Sequence, residues 1–160
     1  MSWSRRSLLL AILGLAACGF TPVYAPDGSA NSLQGQIGFA TPEDRAEYLV
    51  IQRIEDRLGR AADPRWILAL ELSTRTEDLG TTADGDTTRF HVSGTANYSL
   101  RETGADAAAQ AVTEGRVNSF TAYSATGSTV ATLAAERDAE RRLMVILADQ
   151  LVDRLILAAP

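Results

Sequence analysis

Between Phe90 and Leu100 apolar and polar residues alternate. Phe90, Val92, Ala96, Tyr98 and Leu100 fall on one side, and His91, Ser93, Thr95, Asn97 and Ser99 on the other. A period of two marks a strand with one buried face. Residues 65–76 repeat it, setting Trp66, Leu68, Leu70 and Leu72 against Ile67, Ala69, Glu71 and Ser73. Residues 77–86 between these strands are acidic and rich in turn formers, so they read as the tip of a long hairpin. A short apolar piece at residues 36–39 predicts a first strand. Residues 111–124, after a turn at 103–106, predict a fourth. In that fourth strand Val112 and Phe120 are even-numbered while Val117 and Tyr123 are odd-numbered. Gathering all four on one side requires a bulge, for which Gly115 is the natural place.

Two segments switch to a helical period. Thr41-Pro42-Glu43-Asp44 offers an N-cap, a proline at the first helical position and acids in the first turn. Ala46, Val50, Ile54, Leu58 and Ala61, with Ile51 alongside, then recur on one face until residues 59–64 end the helix. Residues 128–157 contain neither proline nor glycine and predict a long second helix. Its core stripe is Val130, Leu133, Met144, Leu147, Leu151 and Leu155, with Ala148 beside it and Arg142, Asp149 and Asp153 opposed. Val145, Ile146, Ile156 and Leu157 lie off that stripe. Either the core is broad there or these four form a partner-binding surface. Arg137 falls within the stripe and is expected to reach solvent at the sheet edge.

The element order is strand, helix, three strands, helix. It predicts an α+β fold, a two-layer sandwich in which two helices pack on one face of a largely antiparallel four-stranded sheet. The outer face of the third strand is polar yet almost uncharged. That suits contact with another protein's polar surface as well as it suits an ordinary wet face. His91 belongs to this face.

The first 34 residues have another character. Arg5 and Arg6 precede an apolar run from Leu8 to Leu15, followed by Ala16, Ala17 and Cys18, the only cysteine of the chain. Such a run is too short to span a bilayer core of about 30 Å and reads as an export signal ending in small residues. The stretch resembles the lipobox of bacterial lipoprotein precursors. That resemblance implies cleavage before Cys18, a diacylglycerol on its thiol and an N-acyl chain such as palmitate on its amine. With Gly19 following the cysteine, it also implies sorting to the outer membrane. Ser4-Arg5-Arg6-Ser7-Leu8-Leu9 also weakly resembles a twin-arginine motif, so the export route stays open. Residues 19–34 show neither period and read as a tether. The expected organisation is a signal peptide at 1–17, a lipidated tether at 18–34 and one domain at 35–160.

Removing residues 1–17 leaves 143 residues and takes the net charge from −5 to −7. Nucleic acid is an unsuitable partner for such a surface. All 15 basic residues are arginine, so any cationic site is built from guanidinium forks suited to phosphates and carboxylates. One cysteine permits neither an intrachain disulfide nor a cysteine metal cluster. No Gly-x-Ser-x-Gly, phosphate-cradling glycine loop or His-Glu-x-x-His is present, and a single histidine leaves few general-base schemes. No catalytic residue, metal site or bound cofactor is assigned, and the chain reads as a non-enzyme.

Cys18-Gly19-Phe20-Thr21-Pro22-Val23-Tyr24 resembles the mature start of the LPS-assembly lipoproteins, the LptE family, and the element order and mature length agree. The resemblance implies an outer-membrane lipoprotein that sits inside and plugs the LptD β-barrel, aids its assembly and assists delivery of lipopolysaccharide (LPS) to the cell surface. The alternative is a small periplasm-facing lipoprotein that binds a ligand or scaffolds another envelope complex. For LPS, whose anionic groups need cations, Arg75 and Arg89 flank the hairpin tip and are expected opposite one another. Arg116 would join them if the fourth strand pairs with the third.

Overall fold

The computed structural model describes residues 28–81, 87–106, 109–125 and 128–159. The signal peptide, Cys18, the motif through Tyr24 and the hairpin tip at 82–86 lie outside the described residues. The elements are α1 (Ser29–Leu33), β1 (Ile37–Phe39), α2 (Arg45–Leu58), β2 (Trp66–Thr81), β3 (Thr87–Glu102), β4 (Thr113–Ser124) and α3 (Thr129–Leu157). The sheet order is β1-β2-β3-β4. β2–β3 and β3–β4 are antiparallel, whereas β1 pairs parallel with β2 at Ile37–Trp66, Gly38–Ile67 and Phe39–Leu68. The sheet is therefore mixed: the chain leaves β1, crosses in α2 and returns as β2 in the same direction. The two longer helices, α2 and α3, lie on one face. α2 packs on β2, α3 on β3 and β4, and the helices against each other.

Several expectations are corrected. α1 falls within the expected tether, yet Ala30 and Leu33 are buried in the common core, so the folded part begins before residue 35. The N-cap of α2 is Asp44, not Thr41. Its carboxylate accepts from the Glu47 N–H at 2.8 Å, and the Glu47 carboxylate reaches back to the Glu43 N–H, also at 2.8 Å. β2 runs on through Thr81, so residues 77–81, expected in the hairpin tip, are strand. Pairing with β3 overrides their turn-rich composition, and the register shifts around Leu79.

β3 and β4 keep one register from Leu100–Thr113 to Arg89–Ser124, so no bulge lies at Gly115. The odd-numbered residues of β4 face the core, with Val117 and Tyr123 buried, while Phe120 stands 65% exposed on the other face. Gly115 instead makes room for Tyr98, whose hydroxyl would lie 2.8 Å from a Cβ there. Four residues back along β3, Gly94 lets α3 come close to the sheet. A Cβ at Gly94 would lie 3.0 Å from Leu143 and 3.1 Å from Leu147.

The core gathers Val50, Ile54 and Leu58 of α2, Leu68, Val92, Ala96 and Leu100 of the sheet, and Leu143, Met144, Leu147, Leu151 and Leu155 of α3. Val130 and Leu133, expected in the stripe, are exposed, because the first turns of α3 overhang the core. Ser128 caps that end, its hydroxyl accepting from the Ala131 N–H at 3.3 Å. Across the helix layer Arg53 forms a fork on Asp149 (2.9 and 3.2 Å), and Arg57 reaches Asp149 at 3.4 Å and Asp153 at 3.1 Å. The hydrogen bond and charge of Asp149 raise the Arg53 pKa above its usual range.

Candidate functional site

Packing α2 and α3 on one face leaves the other face of the sheet without helical cover. Three residue types dominate it: hydroxyls and amides along β3, arginines at intervals, and one aromatic pair. Pairing places Glu71, Asn97 and Arg116 on one rung, Arg75, Ser93 and Phe120 on another, and Glu77, His91 and Ala122 on the next. Arg116 Nε donates to Asn97 Oδ1 at 2.8 Å, and Asn97 Nδ2 donates to Glu71 Oε2 at 3.1 Å. A polar chain thus runs across three strands. His91 packs edge-on against Phe120 with ring centroids 4.7 Å apart, and its Nε2 is buried without a partner. Arg101, outside the expected set of Arg75, Arg89 and Arg116, lies on the same face and donates to Ser99 Oγ at 2.8 Å. Its odd number on β3 is the signal that places it there.

Arg75, Arg89 and Arg116 all lie on this open face, but they do not converge. Arg75 pairs with Ser93 rather than Arg89, and Arg89 pairs with Gly80. Four residues of β3 separate these rungs, which puts the two arginine backbones roughly 14 Å apart. Arg116, two strands away, lies roughly 17 Å from Arg75. β2 and β3 keep one register from Trp66–Glu102 to Asp78–Phe90 and return to it at Thr81–Thr87, so the offset comes from the run of β2 beyond Arg75 and not from the local shift at Gly80. Arg75 is also engaged by Glu77 at 3.7 Å. The arrangement cannot close on one phosphate. It can offer dispersed guanidinium forks among hydroxyls and amides to an extended polar surface.

The four off-stripe residues of α3 divide. Ile156 is buried, so for it the broad-core reading holds. Val145 is half-buried, Ile146 is 37% exposed and Leu157 is 81% exposed. Arg137 is exposed, as expected, and lines a cleft of about 230 Å³ with Arg45, Leu49 and Met144. Among the described residues no group of three or more histidine, cysteine or acidic side chains is placed to hold a metal ion, and no helix is long and apolar enough to cross a membrane.

Over residues 30–155 the chain matches the family model described as LptE, lipopolysaccharide assembly. No curated protein matches it in sequence. Solved structures do share the fold. A candidate lipoprotein from Caulobacter crescentus CB15 superposes with a TM-score of 0.64 at 22% identity, covering 81% of this chain and 93% of that one. Rare lipoprotein B from Shewanella oneidensis gives 0.52 at 15% identity, covering 75% and 91%. A minor lipoprotein from Acinetobacter baumannii gives 0.53 at 13% identity, covering 76% and 89%. At these identities the likeness is one of fold.

Proposed function

The chain belongs to the LptE lipopolysaccharide-assembly family, and on that premise we propose that it is an outer-membrane lipoprotein, anchored through acylated Cys18, that associates with and plugs the LptD β-barrel and aids LPS delivery to the cell surface. The observation that carries this reading is the family match across residues 30–155. Two features of the chain support it. The sequence ahead of the domain supplies a lipobox, and two acyl chains anchor a protein stably where one does so only marginally. The sheet face free of helices is polar and carries arginines spaced along it, which suits a barrel lumen or an anionic glycolipid better than a small-molecule pocket does. Arg75, Arg89 and Arg116 act on this reading as separate contacts on that face. The protein acts without catalysis, by holding partners.

The test is purification of the tagged protein from detergent-solubilised membranes. A large β-barrel protein in near-equal amount is expected. Recovery of the lipoprotein alone, or with a soluble envelope protein in place of the barrel, would favour the ligand-binding or scaffolding alternative.

A further inference from the structure

The helices cover one face of the sheet and leave its far edge open. β4 ends the strand order, and no described strand pairs with its outer side. The Ala125 N–H donates to Thr88 O at 3.0 Å, and on the other side of β3 the Thr103 N–H donates to Arg65 O at 2.9 Å, so the odd-numbered residues of β3 bond to β2 and its even-numbered residues to β4. With the unbroken register between β3 and β4, these bonds place the odd-numbered residues of β4 in hydrogen-bonded pairs with β3. The even-numbered residues therefore turn their N–H and C=O groups toward the open edge. Arg142 confirms the direction, donating from Nη2 to Ala122 O at 3.3 Å while Asp138 holds the same guanidinium at 3.3 Å. That contact closes one end of the edge and leaves Glu114 to Phe120 open.

Open edges are ordinarily blunted by charge or proline, but this one is flanked by apolar groups. Phe120 stands exposed on the outer side. On the helix side Ile146 lies one turn from Arg142 and one turn from Gln150, and it is exposed as well. Farther along, Arg116, Val117 and Asn118 of β4 face Gln150, Asp153 and Arg154 of α3 across a groove of about 430 Å³. Asp153 is engaged by Arg57, so Arg116 and Arg154 give the groove its sign. The other open edge, β2 beyond Leu68, lies beside Glu43, Glu47 and Glu71 and has no large exposed apolar side chain between residues 69 and 78.

We infer that the edge of β4 from Glu114 to Phe120 receives an extended segment of the β-barrel partner as a fifth strand, an inference that rests on the function proposed above. The segment that fits has apolar side chains on both faces where it passes between Phe120 and Ile146. It carries a carboxylate where it passes between Arg116 and Arg154. Main-chain hydrogen bonds supply the affinity, and the two flanks select the sequence.

Asn118 is the point at which to test this, because its N–H faces the edge and a proline there removes an edge donor without removing a bond to β3. The full-length lipoprotein is co-expressed with the barrel and purified by its tag. Wild type and Asn118→Ala should retain the barrel, whereas Asn118→Pro should lower it about tenfold. Phe120→Glu combined with Ile146→Glu should lower it similarly, with unchanged circular dichroism. A photo-crosslinking residue at position 118 should join a barrel peptide. Undiminished barrel with folded Asn118→Pro, or a crosslink from position 118 to LPS rather than to polypeptide, overturns the inference alone. If Asn118→Pro does not fold, the Phe120 and Ile146 double variant decides, and full barrel recovery with it is again a refutation. A wild-type protein that brings no barrel at all overturns the proposed function, and this inference falls with it.

Discussion

Gly94→Val tests the close approach of α3 to the sheet, which fixes which face stays open. A Cβ at Gly94 lies 3.0 Å from Leu143 Cδ2, 3.1 Å from Leu147 Cδ1 and 3.3 Å from Leu143 Cγ, against an optimum of about 3.5–4.0 Å between carbon atoms. The γ-methyls of valine reach farther, so the overpacking cost falls near the upper end of its usual span, about 3 kcal/mol. Replacing glycine within a strand returns about 0.5–1 kcal/mol of backbone entropy, for a net loss of about 2 kcal/mol. Leu143→Ala alone opens a cavity at a fully buried position and costs about 3 kcal/mol. Combined, the alanine removes both Leu143 atoms that the valine strikes and leaves space into which Leu147 can shift. The double variant should therefore lose about 3 kcal/mol rather than about 5, a coupling of about 2 kcal/mol. The assay is urea unfolding of protein lacking residues 1–17 and carrying Cys18→Ser. Buried Trp66, the only tryptophan then remaining, reports the transition. Losses that add to within about 0.5 kcal/mol would refute the contact.

Two further outcomes follow from burial. Ile156→Glu places a carboxylate in the core beside Leu155 and Val152 and should cost about 4 kcal/mol, unfolding the domain in circular dichroism, whereas Ile146→Glu should leave the spectrum unchanged. Equal tolerance of both would place Ile156 outside the core. Tyr123, stacked on Phe90 at 5.0 Å, has its phenol pKa raised by burial and then by Glu136, Glu140 and Asp78. A proton held more tightly by the folded state gives stability that is fully present below the unfolded pKa of about 10 and is lost as pH rises through the folded value. Tyr123→Phe should therefore flatten the alkaline limb of the stability profile, and an unchanged limb would contradict the assignment.

The fold was legible where a period runs long enough to average out exceptions, as along β3 and through the middle of α3. It was less legible where pairing overrides composition. Nothing local in residues 77–81 announces a strand; they are held by β3 across the hairpin. α1 carries only Ala30 and Leu33 as its signal, three residues apart in a polar stretch, and their burial comes from packing. The bulge expected at Gly115 came from assuming that Phe120 must face the core, whereas the ring lies against His91 on the open face. Val130 and Leu133 keep the helical spacing, but α3 has already passed the end of the core there. For the candidate site, odd numbering on β2 and β3 and even numbering on β4 suffice to put Arg75, Arg89 and Arg116 on one face. Their separation depends on where the hairpin reverses, which the pairing of Thr81 with Thr87 fixes and no pattern of residue types shows. The open edge of β4 was illegible for the same reason: strand order belongs to the assembled sheet.

A role in LPS assembly is measured most directly by following newly made LPS after the protein is depleted. Cells are pulse-labelled, and LPS at the surface is separated from LPS held inside by its reaction with a reagent that does not cross the outer membrane. Surface arrival should fall on depletion, return with the wild-type protein and return poorly with Cys18→Ser or with Arg75→Ala, Arg89→Ala and Arg116→Ala combined. Undiminished arrival of LPS in depleted cells would contradict the account.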